Sequence, residues 1–123
     1  MAIFDTDVLI DHLRGNAGAK NTITKFKSEK NHCSVITSGE ILFGMRIKET
    51  KQTLALLDSF EELSVDKEII RIASDVKLKA KGHKLELYDC VIAATAIKYD
   101  QLLVTKNKKH YPDKRLKLFI PEY

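Results

Sequence analysis

With two cysteines, no tryptophan, two prolines and five glycines in 123 residues, the chain lacks the compositions that mark several protein classes. Cys33 and Cys90 show neither Cys-x-x-Cys spacing nor a histidine at metal-site spacing. A disulfide framework and a zinc site are thereby excluded, leaving reduced thiols in a core. No uninterrupted apolar run approaches the ~20 residues that span a bilayer. The amino terminus also lacks a basic region followed by an apolar block and a cleavage site. A soluble, cytoplasmic chain without a membrane partner is expected. Neither a Gly-rich phosphate loop nor a Ser/His/Asp set is present, and His12, His32, His83 and His110 are scattered, which argues against histidine-based catalysis.

There is also no linker, repeat or low-complexity tract, so residues 1–123 read as a single domain, large enough to bury roughly two-thirds of its unfolded surface. Charge is unevenly placed. The formal net charge is +4, yet residues 1–100 carry 15 Lys or Arg against 15 Asp or Glu, and residues 101–123 carry 6 against 2. Lys106, Lys108 and Lys109 belong to this basic end and can neutralise phosphates, although a solvated surface has the same composition.

Short apolar segments alternate with longer amphipathic ones, a pattern of α/β folds built on a largely parallel sheet. Strands are predicted at residues 2–4, 32–36 and 102–104, with a short one around Leu63 and Val65 and an edge strand at 117–120 before Pro121. Helices are predicted at 6–14, 19–30, 38–48, 50–59, 66–81 and 88–99. Gly15 and Gly82 close two of them, and Thr37 or Ser38 is the expected cap of the third helix.

Against this background stand isolated acids. Asp5 in IFDTDVLID, Glu40 in SVITSGEILFGM and Asp89 in LYDCVIAATAIKYD each sit in or beside an apolar stretch, where an ionised carboxylate is costly unless paired. Any one of them could merely favour a helix N-terminus. In open α/β sheets, however, ligands bind at the carboxyl ends of strands. Asp5, Thr105 and Asn107 fall there directly, and Glu40 and Asp89 join them if their helices start at the same rim. Carboxylates gathered in one place repel one another without a cation, and oxygen-only donors select Mg²⁺ or Mn²⁺. Such a centre suits phosphodiester hydrolysis.

Four blocks carry a resemblance to the PIN-domain ribonucleases, and most closely to the VapC-type toxins of toxin–antitoxin modules. DTDVLID resembles the family's opening block, SVITSGEILFG its second, YDCVIAATA its Asp-x-x-Ile-Ala-Ala-x-Ala block and LLVTKNKKHY its closing strand. The resemblance implies a PIN-like three-layer fold, a central mostly parallel sheet flanked by helices. It also implies a metal set of Asp5, Glu40 and Asp89, with Asn107 as a further catalytic residue and Thr6, Asp7 and Thr105 in support. Asn107 stands where the family often has Asp; an amide adds no charge, so one ion is expected rather than two. Further implications are endonucleolytic cleavage of RNA (tRNA or another structured RNA among the candidates), a cognate antitoxin and a homodimer. Lys106, Lys108, Lys109 and Arg46 are the candidate RNA contacts, Arg46 also having an ordinary ion-pair partner in Glu49.

The alternatives differ in class. An aspartyl-nucleophile phosphatase also opens with a strand and Asp-x-Asp, but needs a Lys and a further acid pair after Thr105, where only Asp113 and Glu122 remain. A phospho-acceptor receiver needs an Asp at a middle strand end, and residues 31–57 contain none. A catalytically weak RNA- or partner-binding module is the non-enzymatic alternative, favoured by Asn107 and opposed by the three acids.

Overall fold

The computed structural model describes residues 1–28 and 30–123. Strands β1 (Ala2–Phe4), β2 (Asn31–Ser34), β3 (Glu61–Leu63), β4 (Leu102–Val104) and β5 (Lys117–Phe119) form one sheet in the order β3-β2-β1-β4-β5. Every pairing is parallel. Parallel neighbours need crossover connections, which here carry helices α1 (Thr6–Leu13), α2 (Ala17–Lys25), α3 (Val35–Gly44), α4 (Thr50–Asp58), α5 (Lys67–Lys79) and α6 (Leu87–Tyr99). The expected three-layer α/β architecture is observed, with β5 on an edge.

Side-chain alternation along β1 divides the core. Ile3 joins Leu103, Ile69, Val76 and Val91 beneath α5 and α6. Ala2, Phe4 and Val104 join Val8, Leu9, Leu56 and Phe60 beneath α1 and α4. Phe4 meets Phe26 and Phe60 edge-on, with ring centroids 5.9 and 5.3 Å apart, an arrangement that aromatic quadrupoles favour. Both central strands are thus packed on two faces, which fixes their carboxyl ends. Between β1 and β4 the strand order reverses direction, the place where such sheets form a crevice.

Several boundaries depart from the sequence expectation. Strand β2 ends at Ser34 rather than Ile36, and α3 starts three residues earlier than predicted. Neither Thr37 nor Ser38 is the cap: the Ser34 hydroxyl accepts from Ile36 N–H at 3.1 Å. The β-branched Val35 and Ile36 imitate a strand locally, but this capping hydroxyl starts the helix before them. Glu40 consequently lies in the second turn of α3, not the first. Helix α3 stops at Gly44 and is followed by a short 3₁₀ turn, Ile47–Glu49. Helix α2 begins at Ala17, where the Asn16 side chain accepts from Ala19 N–H at 3.1 Å, and ends at Lys25. Its expected continuation runs through Glu29, which lies outside the described residues. Asp66 caps α5 instead of belonging to it. Beyond that helix Gly82 turns the chain at φ +80°, a conformation that costs a residue without Cβ little.

Candidate active site

Asp5 is the N-cap of α1 and follows β1 directly. Its Oδ1 accepts from Thr6 N–H at 2.7 Å, and its Oδ2 accepts from the Thr105 hydroxyl at 2.7 Å. Thr105 is the first residue after β4, so a hydrogen bond spans the β1–β4 crevice. Asp5 itself is only 5% exposed.

Two neighbours lock this arrangement. The Thr6 hydroxyl donates to Glu40 Oε1 at 2.8 Å and lies 3.1 Å from the Thr37 hydroxyl, tying α1 to α3. Asp7 accepts from Val8 N–H at 2.7 Å through Oδ1 and from Lys106 N–H at 2.9 Å through Oδ2, tying α1 to the loop after β4. Asp7 therefore acts as a strut between two backbone segments. Asn107 enters the same network through its backbone, donating to Thr105 Oγ1 at 3.0 Å.

Asp89, in the first turn of α6, is half-buried. Its charge reaches both other acids. Burial pushes the Asp5 carboxyl up, and Asp89 adds to the shift against hydrogen bonds from Thr105 and Thr6. Burial likewise raises Glu40, with Asp89 adding to it and Thr6 opposing. Asp89 is raised by burial and held down in part by His110, whose Nδ1 is 3.7 Å from Asp89 Oδ1. Asp7 is pushed up to about 6 by burial and by the charge of Asp5. Four carboxyls thus share one electrostatic neighbourhood. Among the described residues, no three His, Cys, Asp or Glu side chains stand as a ready-made metal cage.

Two residues at this centre escape sequence reading, His110 and Tyr111. Tyr111 is 3% exposed. Its hydroxyl faces Asp5 and favours the carboxylate's charged form, yet it closes no full hydrogen bond. Burial and the charges of Asp5, Asp89 and Asp7 raise the phenol far beyond its ordinary range. No local pattern marks either residue; the loop after β4 brings them in.

The basic candidates separate. Lys108 and Lys109 lie exposed on a 3₁₀ turn, Lys108–His110, and with Asn107 and Tyr111 line a cavity of about 600 Å³. Lys106 lines it too, while its ammonium sits 4.0 Å over the Tyr123 ring. Arg46 lies elsewhere, after the end of α3, with Nε 3.3 Å from Glu49 Oε1. It lines a separate cavity of about 610 Å³ together with Glu40.

A three-layer parallel α/β domain with one buried and three half-buried acids at the switch point of its sheet is the class that fold and site define. The PIN domain model matches residues 2–113. Ribonuclease VapC10 of Mycobacterium tuberculosis is 34% identical over 115 residues, covering 91% of this chain and 86% of that protein. Ribonuclease VapC1 of Methanocaldococcus jannaschii is 35% identical over 120 residues, covering 95% and 82%. A toxin–antitoxin complex from Klebsiella pneumoniae contains a chain that superposes with a TM-score of 0.85 at 26% identity, covering 99% of this chain and 98% of that one. The chain belongs to the PIN-domain family, within its VapC-type group.

Proposed function

We propose that this protein is a toxin-type endoribonuclease that hydrolyses RNA phosphodiester bonds at Asp5, Glu40 and Asp89, with Mg²⁺ or Mn²⁺ as cofactor. One observation carries it: Asp5 at the end of β1 and Glu40 on α3 are joined through Thr6, and both, like Asp89 on α6, are raised from their ordinary values by burial, with the charge of Asp89 adding to the shift of the other two. Such a group is relieved by a proton or by a cation.

The residues fit a divalent ion. The donors are all oxygens, which Mg²⁺ and Mn²⁺ prefer. Asp5, Glu40 and Asp89 would hold it. When bound, it supplies charge neutralisation at the phosphate and a lower pKa for the attacking water. The chain's own residues do the rest. Thr105 and Thr6 aim the carboxylates of Asp5 and Glu40, and Asp7 fixes the loop carrying Thr105. Asn107, at the rim, is assigned the orienting of the attacking water. Lys106, Lys108 and Lys109 neutralise backbone phosphates beside it, and Arg46 is a secondary contact because Glu49 holds it.

The curated relatives named above are ribonucleases, and the Klebsiella structure pairs a toxin with its antitoxin. A cognate antitoxin is therefore part of the proposal, as are a cytoplasmic location and a homodimer. Among the described residues no helix is long and apolar enough to cross a membrane. Phe43 and Ile47, 96% and 94% exposed, are the apolar side chains with most to gain from a second copy, which sedimentation would detect. Incubating RNA with the purified protein and Mg²⁺, Mn²⁺ or EDTA tests the chemistry: cleavage with either ion and none with EDTA is expected.

A further inference from the structure

Beyond the acidic centre, two neighbouring cavities with His83 and Pro112 in the lining of both outline a groove. The first, of about 600 Å³, is lined by Asn107, Tyr111, Lys108 and Lys109 together with His83 and Pro112. The second, of about 370 Å³, begins at the same His83 and Pro112 and continues past Lys81 and Lys114 at the carboxyl end of α5. The loop that lines the first cavity reaches the centre through His110, whose Nδ1 is 3.7 Å from Asp89 Oδ1. One end of the groove therefore lies beside the acids.

Apart from Lys106, which sits over the Tyr123 ring, the cations of this groove fall into two sets. Arg115 bridges Asp75 and Asp113, at 3.0 and 2.8 Å, and Lys79 pairs with Asp75 at 3.2 Å. These ion pairs brace α5 against the loop after β4 and so hold the far wall in place. Lys81, Lys108, Lys109 and Lys114 are exposed and form no ion pair among the described residues. The single acid lining either cavity, Asp113, is already held by Arg115. Unpaired ammonium groups in a row are suited to the phosphates of a nucleic-acid strand, and an exposed histidine offers a flat ring on which a base can stack. The other large cavity beside the centre suits that ligand less well: Glu40 and Glu49 line it and Glu49 occupies Arg46, which leaves Arg14 as its one unpaired cation among the described residues.

We infer that this groove, from Asn107 and Tyr111 through His83 to Lys81 and Lys114, seats the phosphodiester backbone of single-stranded RNA on one side of the bond to be cut. The inference rests on the ribonuclease activity proposed above and adds to it a second basic segment, residues 79–84, more than 20 positions before Lys106.

The test compares the wild-type protein with the double variant Lys81→Gln/Lys114→Gln, whose changes are exposed and remote from the acids. Binding of a fluorescent ~15-nucleotide single strand is followed by anisotropy in EDTA across a salt series. Removing two phosphate contacts is expected to weaken low-salt affinity about ten-fold. It should also reduce the slope of log affinity against log salt by about 1.4, at ~0.7 per contact for a single strand. Unchanged affinity and slope would overturn the groove. So would a loss confined to a polyglutamate competitor, which would assign the lysines to an acidic protein segment. Cleavage in Mg²⁺ is scored separately. Absent cleavage with the expected change in binding overturns only the chemistry and leaves the groove supported.

Discussion

The Thr105 hydroxyl donates to Asp5 Oδ2 at 2.7 Å, across 100 residues of chain. Both residues follow adjacent parallel strands, so the hydrogen bond reports the register of β1 against β4 as well as the state of the acid. The same hydroxyl accepts from Asn107 N–H. Replacing it with an isosteric methyl leaves the buried Asp5 carboxylate and the part-buried Asn107 N–H short of a partner. Thr105→Val should lower unfolding free energy by about 1–3 kcal/mol and cut RNA cleavage by about 10–100-fold, as losses of residues that orient ligands do. Urea denaturation and single-turnover cleavage measure the two effects.

The acids should trade stability for function. Asp89 raises the carboxyls of Asp5 and Glu40, so in metal-free protein its charge opposes folding. Asp89→Asn removes that repulsion while retaining the shape. The expected result is loss of cleavage together with a thermal midpoint at neutral pH no lower than that of wild type. A fall in both would mark Asp89 as a structural acid.

Much of the fold was legible because its signals are local. Alternating apolar and amphipathic stretches require a layered α/β fold, and Asp5 and Thr105 could be placed because each directly ends a strand. Glu40 was harder. Val35 and Ile36 have strand-like side chains, and only the Ser34 cap reveals that the helix begins before them, moving Glu40 one turn along. Its partner Thr6 is 34 positions away, a contact no sequence window contains. Tyr111 and His110 were illegible for a related reason. They sit on an irregular loop whose path is set by packing against α6 and by the Arg115 ion pairs, and neither has a spacing that ties it to an acid.

Asp7 provides a pH signature. Its carboxyl is raised from 3.8 to about 6, so between those values the folded chain holds a proton that the unfolded chain has lost. Stability from this group is therefore complete below pH 3.8 and is lost as pH rises through about 6. Asp5, Glu40 and Asp89 shift in the same direction, so Asp7→Asn flattens only part of the slope. Chemical denaturation of metal-free wild type and variant at a series of pH values isolates the contribution of Asp7 as their difference.

A divalent ion should reverse that trend. A ligand that binds only the folded state raises the thermal midpoint with concentration, and here the gain requires ionised acids. Mn²⁺ is expected to raise the midpoint at pH 7 and leave it nearly unchanged at pH 4, with EDTA abolishing the gain. A shift that persists in the Asp5→Asn variant would place the ion elsewhere.

Tyr111→Phe separates the hydroxyl from the ring. The buried hydroxyl closes no full hydrogen bond, so losing it should leave the midpoint of metal-free protein equal or slightly higher. Cleavage is expected to fall about ten-fold through kcat rather than KM, a modest loss in line with a positioning group. Steady-state kinetics beside differential scanning fluorimetry would show the split. A destabilised but fully active variant would instead assign the hydroxyl a purely structural part.

The most direct test of the central claim is single-turnover cleavage of RNA by wild type and by Asp5→Asn, each with Mg²⁺ and with EDTA. Cleavage is expected only for wild type with Mg²⁺, with both proteins folded to the same extent by circular dichroism. Equal cleavage by Asp5→Asn, or cleavage undiminished in EDTA, would contradict a metal-dependent acidic centre.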